Sequence, residues 1–266
     1  MKVAFFTGSA YRHKYYFNKL VDQVDVVLHV QTVRSDKLTD EIPYSFSVSD
    51  EKLLQKHSDD RLRKEKEYFL STGKDFKKTR NVVSVGEHEI NHPKVIDAVE
   101  KAKPDMVIVY GTGLLKKPLL EILPEYTINL HGGVSPYYRG NATLFWPIYF
   151  MEPQSVGFTF HLIDANIDSG DIIHQNRPNI FADDELHDLG CRTIVQAAED
   201  MEELLKRAQK GQLAHYPQKS KGKIFYHADF RPYHLRVTNY LMKDGLLKEY
   251  LENRKYFPEP KIVSQL

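Results

Sequence analysis

Three stretches of the sequence predict an α/β fold: a doubly wound, mostly parallel, Rossmann-like sheet with helices on both faces and a short C-terminal extension. Lys2-Val3-Ala4-Phe5-Phe6 is a compact apolar run that ends at Gly8-Ser9 and passes into Tyr11 to Leu20, a segment of helical potential. Strand, small-residue turn and helix make the opening unit of such a sheet. Met106 to Tyr110 is continuously hydrophobic, the pattern of a parallel strand buried on both faces. Asp184 to Gln209 repeats apolar residues (Leu186, Leu189, Ile194, Val195, Ala198, Met201, Leu204) at helical spacing on a charged background, so it should cover one face of the sheet.

The remaining elements fall into place between these. Asp25 to Gln31 is a second apolar strand, followed by a long polar excursion from Thr32 to Arg80. Its centre, Asp50 to Leu70, interleaves charges with Leu53, Leu54, Leu62, Tyr68 and Phe69 and reads as a solvated amphipathic helix. The basic cluster Lys74, Lys77, Lys78 and Arg80 is either wet surface or a patch for an anionic substrate group. Val82 to Val85 is a short strand, and Asn91-His92-Pro93 opens a helix to about Lys103, with proline where a first turn tolerates it. A helix from about Pro118 to Leu123 precedes the strand Thr127 to His131, and Thr143 to Phe150 is apolar nearly all round, as a buried helix should be. Ser155 to Leu162 and Asp171 to Gln175 read as two more strands. After Gly211 the composition changes, and a last helix is expected from about Tyr233 to Leu251. The predicted division is a catalytic domain over 1–210 and an extension over 211–266, the latter a docking arm or a dimer contact.

Composition narrows the functional classes. The chain of 266 residues is 41% hydrophobic and 27% charged, ordinary for a soluble globular protein, and its formal net charge of +1 supplies no general field for gripping nucleic acid. No stretch approaches the roughly 18 apolar residues of a membrane-crossing helix, and the apolar run at Lys2 to Thr7 is too short for a secretory signal. A single cysteine, Cys191, excludes an internal disulfide and suits a reducing compartment, so the cytoplasm is the expected location. His131, His161 and His174 lack a close-spaced ligand pair and no cysteine pair is present, so no metal is expected; His161 and His174 are read as strand histidines satisfied by ordinary hydrogen bonds. A nicotinamide enzyme would want Gly-x-Gly-x-x-Gly after the first strand, which Gly8-Ser9-Ala10-Tyr11 does not supply.

The chemistry concentrates between Tyr126 and Gln175. Asn129 and His131 stand at i and i+2 in an otherwise apolar strand, so both side chains project from one face, and glycines and Pro136 follow at once. Asn129-Leu130-His131, Pro136, Tyr138-Arg139-Gly140 and then Asp168-Ser169-Gly170, in that order, resemble the signature of the 10-formyltetrahydrofolate-dependent formyltransferases. The resemblance covers about four-fifths of the chain and is closest to the nucleotide-sugar N-formyltransferases. One departure is the pair Gly133 and Ser135, where the family often has serine and leucine, which bears on the pocket wall.

The resemblance implies a one-carbon transfer enzyme with Asn129, His131 and Asp168 as catalytic residues. In that chemistry Asn129 donates to an oxyanion, His131 moves the proton, and Asp168 tunes and orients the histidine. It also implies a 10-formyltetrahydrofolate site along Tyr110, Gly111, Gly113, Leu114 and Leu115, closed by Ile163 and Asp164. Gly8 and Ser9 at a helix start, with Tyr137, Tyr138 and Arg139, are the expected contacts to the acceptor, read as a nucleotide-linked amino sugar of surface-polysaccharide (lipopolysaccharide) synthesis. Methionyl-tRNA or glycinamide ribonucleotide remain alternative acceptors. The short tail and near-zero charge weigh against the tRNA, and the long insert and appended tail against the ribonucleotide. A non-catalytic folate- or nucleotide-binding regulator is the alternative from another class.

Overall fold

The computed structural model describes residues 1–33, 47–220 and 222–266. Part of the predicted polar excursion, 34–46, lies outside the described residues. The chain opens with β1 (Lys2–Thr7), α1 (Tyr11–Leu20), β2 (Asp25–Val33), α2 (Val48–Phe69), β3 (Val82–Gly86), α3 (Pro93–Ala102), β4 (Met106–Tyr110), α4 (Leu119–Ile122) and β5 (Thr127–His131). It continues through β6 (Tyr138–Gly140), α5 (Trp146–Tyr149), β7 (Phe158–Leu162), β8 (Ile172–Asn176), α6 (Leu186–Gln209), β9 (Lys223–Phe225), α7 (Pro232–Lys243) and α8 (Leu246–Glu252).

Seven strands form one sheet in the order β3-β2-β1-β4-β5-β7-β8. The first five are parallel, and β7 runs antiparallel to both β5 and β8. Alternation along each strand divides the core into two layers. Val3, Phe5, Ile108, Ile128, Leu130 and Phe160 meet the apolar sides of α1 and α6. Ala4, Phe6, Val107 and Val109 meet Val95 and Val99 of α3 and Leu119 of α4. The strand order reverses between β1 and β4, the point at which such sheets open a crevice. There the Gly8 N–H donates to the Tyr110 carbonyl at 3.0 Å.

The predicted helix at Asp50 to Leu70 is α2, capped by Ser47, whose hydroxyl accepts from the Asp50 N–H. It is tied to α1 by the Arg12–Glu65 ion pair at 2.5 Å. The expected helix over Thr143 to Phe150 contracts to the single turn α5, with Pro147, which brings no N–H, in its first turn and Ala142 before it at φ +55°. The expected final helix divides at Gly245, which adopts φ +93° and starts α8 afresh.

One element was not expected at all. Tyr138-Arg139-Gly140 forms β6, paired in parallel with β9 from the tail in the register Tyr138 to Lys223 and Gly140 to Phe225. Two glycines permit this approach: a Cβ on Gly140 would lie 2.2 Å from the Phe225 carbonyl oxygen, and one on Gly222 would lie 1.5 Å from that of Pro136. Phe225 and Leu235 of the tail share a hydrophobic cluster with Leu54, Tyr138, Phe145 and Trp146. Residues beyond 210 therefore complete a core that begins before them.

Candidate active site

Because Ile128 and Leu130 face α6, Asn129 and His131 face the other way. Register then supplies their neighbours: Asn129 lies opposite His161 and His131 opposite Thr159 on β7. The loop 163–170 folds back over this face and delivers Asp168. That residue adopts φ +45°, a left-handed conformation that costs a non-glycine residue on the order of 1 kcal/mol and has to be held by its surroundings. The Gly140 N–H donates to its Oδ2 at 2.8 Å. Oδ2 is also 3.3 Å from His131 Nδ1, while Oδ1 is 3.3 Å from His161 Nε2 and 3.5 Å from Asn129 Nδ2. Asn129, His131 and Asp168 thus converge, and His161 joins them.

The carbonyl partners assign the protons. His131 Nε2 is 2.8 Å from the Tyr138 carbonyl, which only accepts, so this nitrogen carries hydrogen. Nδ1, facing Asp168, is the nitrogen left to take and release a proton. His161 Nδ1 likewise donates to the Leu162 carbonyl at 2.8 Å, which aims its Nε2 at both the Asn129 amide nitrogen, 3.1 Å away, and Asp168 Oδ1. Burial pushes the Asp168 carboxyl up, but the charge of His131, the His161 ring and the Gly140 N–H outweigh it and hold the group well below the usual carboxylate range. Burial pulls the His131 imidazole below its ordinary value, with Asp168 pulling the other way.

The other expected contacts sort by surroundings. Tyr110 and Leu115 are buried, whereas Leu114 is 57% exposed. Asn91 anchors the loop by donating to the Leu114 carbonyl at 2.8 Å and accepting from the Lys116 N–H at 2.7 Å. Among the described residues the N–H groups of Gly111, Thr112 and Gly113 have no hydrogen-bond partner. Leu115 and Ile163 share one apolar cluster. Solvent-facing backbone donors beside an apolar wall fit the edge of a flat heterocycle such as a pteridine. Asp164 accepts from the Ser169 hydroxyl at 2.7 Å and shapes the loop that carries Asp168.

Three acceptor assignments do not suit their surroundings. The Gly8 N–H is already spent on Tyr110, and a Cβ there would strike the His13 ring at 2.4 Å, so packing accounts for the glycine; Ser9 beside it is half-buried. The Tyr138 ring stacks on Phe225 at 5.8 Å and its hydroxyl donates to Glu152 at 2.6 Å, which leaves no face for a ligand. Lys77 pairs with Asp22 at the amino-terminal edge of the sheet, so its cluster lies away from the site. Tyr137 remains 43% exposed, and the Arg139 guanidinium donates to the Ile167 carbonyl, bracing the Asp168 loop.

His161 was read as an ordinary strand histidine; only the β5–β7 register places it at the site. His174 is that ordinary case, bonded to Asp200 of α6 at 2.9 Å. Among the described residues no group of three His, Cys, Asp or Glu side chains is arranged to hold a metal ion, and no helix is long and apolar enough to cross a membrane.

Residues 22–205, more than half of the chain, match the family model described as formyl transferase. The chain belongs to that family. Two curated relatives, the methionyl-tRNA formyltransferases of Geobacter metallireducens and Trichlorobacter lovleyi, are each 32% identical to this chain over 126 residues. That match takes in 47% of this chain and 40% of each relative, so the chain spans less than half the length of these relatives. Among solved structures, a 4-N formyltransferase from Francisella tularensis superposes with TM-score 0.53 at 17% identity, over 86% of this chain and 77% of that one. An N-formyltransferase from Helicobacter canadensis, solved with folinic acid and dTDP-3-aminofucose, gives 0.54 at 17% identity over 92% and 82%. A phosphoribosylglycinamide formyltransferase from Anaplasma phagocytophilum gives 0.57 at 12% over 85% and 98%. At these identities the likeness is one of fold.

Proposed function

We propose that this formyltransferase moves a formyl group from 10-formyltetrahydrofolate to the amine of a nucleotide-linked amino sugar, in the cytoplasm, in the service of surface-polysaccharide synthesis. The observation that carries the transfer chemistry is the Asp168 carboxylate gathered against His131, His161 and the Asn129 amide. When bound, the folate supplies an activated formyl carbon. The chain's own residues supply the rest. His131 Nδ1 takes the proton released by the attacking amine and gives it up to the nitrogen that leaves the formyl carbon, and Asp168 stabilises the imidazolium in between. The Tyr138 carbonyl keeps the second nitrogen protonated throughout, so the ring has one working nitrogen. Asn129, its amide oriented by His161, presents N–H groups to oxygen charge that develops at the formyl carbon.

The acceptor assignment is supported by the near-neutral charge, by a tail built into the core beside the site, and by solved relatives named as sugar N-formyltransferases. The 32% identity to methionyl-tRNA formyltransferases favours charged initiator tRNA as the second reading. The test is incubation with 10-formyltetrahydrofolate and a panel of nucleotide-linked amino sugars, glycinamide ribonucleotide and charged initiator tRNA, with product mass followed. A sugar nucleotide should be formylated fastest; preference for the tRNA or the ribonucleotide overturns the acceptor, and absence of reduced-folate binding by calorimetry overturns the transfer.

A further inference from the structure

Beside Asp168 the tail forms one wall of a solvent-open pocket of about 230 Å3, lined by Arg139, Ser169, Gln218, Lys219 and Ser220. Gln218 fixes its character. Its Nε2 donates to the carbonyls of Asp168 and Gly170, each at 2.9 Å, and because both partners only accept, the amide cannot be turned round. Its Oε1 is thereby left buried with no hydrogen-bond partner. A buried acceptor without a donor is unfavourable, and a ligand N–H or O–H would satisfy it.

The same wall is basic. Lys219 is exposed and, among the described residues, has no acidic partner, while the buried Arg139 is held against the Ile167 carbonyl on the pocket's inner side. The neighbouring carboxylates are otherwise engaged: Asp164 accepts from Ser169, and Asp168 faces His131 and His161.

We infer that this pocket is a subsite for the acceptor and takes the phosphate-bearing portion of an amine-carrying sugar. A sugar hydroxyl or amine N–H donates to Gln218 Oε1, and Lys219 with Arg139 meets the phosphate. About 230 Å3 is below the ~300–1,000 Å3 of sites that enclose whole drug-sized ligands, so one sugar or one phosphate segment enters and the rest lies outside. This deepens the proposed function and rests on it for the identity of the acceptor, though not for the anion site itself.

The test uses the full chain and the variants Lys219→Ala and Lys219→Arg, at an exposed side chain that among the described residues makes no hydrogen bond or ion pair. Calorimetry with inorganic pyrophosphate should show binding that weakens on the order of 10-fold in K219A and returns in K219R, while affinity for 5-formyltetrahydrofolate stays unchanged. In turnover, K219A should raise KM for the phosphorylated acceptor and leave kcat alone. Failure of the unaltered protein to bind pyrophosphate, or equal binding by K219A, overturns the subsite. Weakened folate binding in K219A also overturns it, since the pocket would then hold the folate's carboxylates. Lysine-dependent pyrophosphate binding without formylation of any sugar in the panel would uphold the subsite and defeat the acceptor assignment.

Discussion

One face of the central sheet is built in two ways. Over β1, β2 and β4 it carries Ala4, Phe6, Leu28, Val30, Val107 and Val109 and is closed by helices α3 and α4. Over β5, β7 and β8 the same face carries Asn129, His131, Thr159, His161 and Gln175 and is closed by the 163–170 loop, β6 and, behind β6, the tail. The helical half covers almost entirely apolar surface, its buried Thr32 donating to the Thr7 carbonyl. In the loop-covered half buried polar groups need partners from irregular backbone, and Thr159 finds all of its own. Wholly buried, its hydroxyl donates to the Gly133 carbonyl at 2.7 Å and accepts from the Ser135 N–H and Gln175 Nε2, each at 2.9 Å. A face relieved of its helix can hold titratable groups near the surface, on condition that irregular backbone supplies the missing hydrogen bonds.

The contrast can be broken most severely at its chemical end. His131→Ala or Asp168→Ala should lower turnover by ~10²–10⁴-fold while calorimetry still finds reduced-folate binding; unchanged turnover would defeat the catalytic assignment. In the helical half, Phe6→Ala should cost about 3–5 kcal/mol of unfolding free energy by urea titration, with the turnover of the remaining folded protein unchanged. Gly222→Ala tests the clamp behind the site. Its Cβ would overlap the Pro136 carbonyl, so β9 must part from β6 and displace the Tyr138 carbonyl and Gly140 N–H that hold His131 and Asp168. Turnover should fall ~10²-fold with little change in folate affinity, and unaffected turnover would show that the tail does not position the site.

Two smaller effects sharpen the comparison. Thr159→Val keeps the shape but orphans the Ser135 N–H and the Gly133 carbonyl, and should cost about 1–3 kcal/mol by the same titration. The pH profile of kcat/KM should fall on the acid side below 6.5, the ordinary histidine value, because burial lowers the His131 pKa. Asp168 raises that pKa, so Asp168→Asn should move the acid limb of the residual activity to still lower pH; a shift to higher pH would show that the two groups are not coupled.

Most of the parallel half of the fold was legible in the chain, because its determinants are local. The run Met106 to Tyr110 and the periodicity from Leu186 state their burial within a few residues, and Asn129, His131 and Asp168 announce themselves by type and order. Less was legible wherever partners lie far apart in sequence. His161 looks like any strand histidine until the β5–β7 register sets it opposite Asn129. Tyr138-Arg139-Gly140 looks like a loop until Lys223 to Phe225 arrives beside it, and Gly8 looks like a phosphate turn until the His13 ring fills the space. Gln218 carries no motif at all; only the two carbonyls it binds fix its amide and leave its oxygen without a partner. Periodicity and turn chemistry act between neighbours along the chain and are determined by sequence alone. Strand register, close backbone approach and the orientation of a buried amide are settled by contacts between residues tens of positions apart, which only the folded structure brings together.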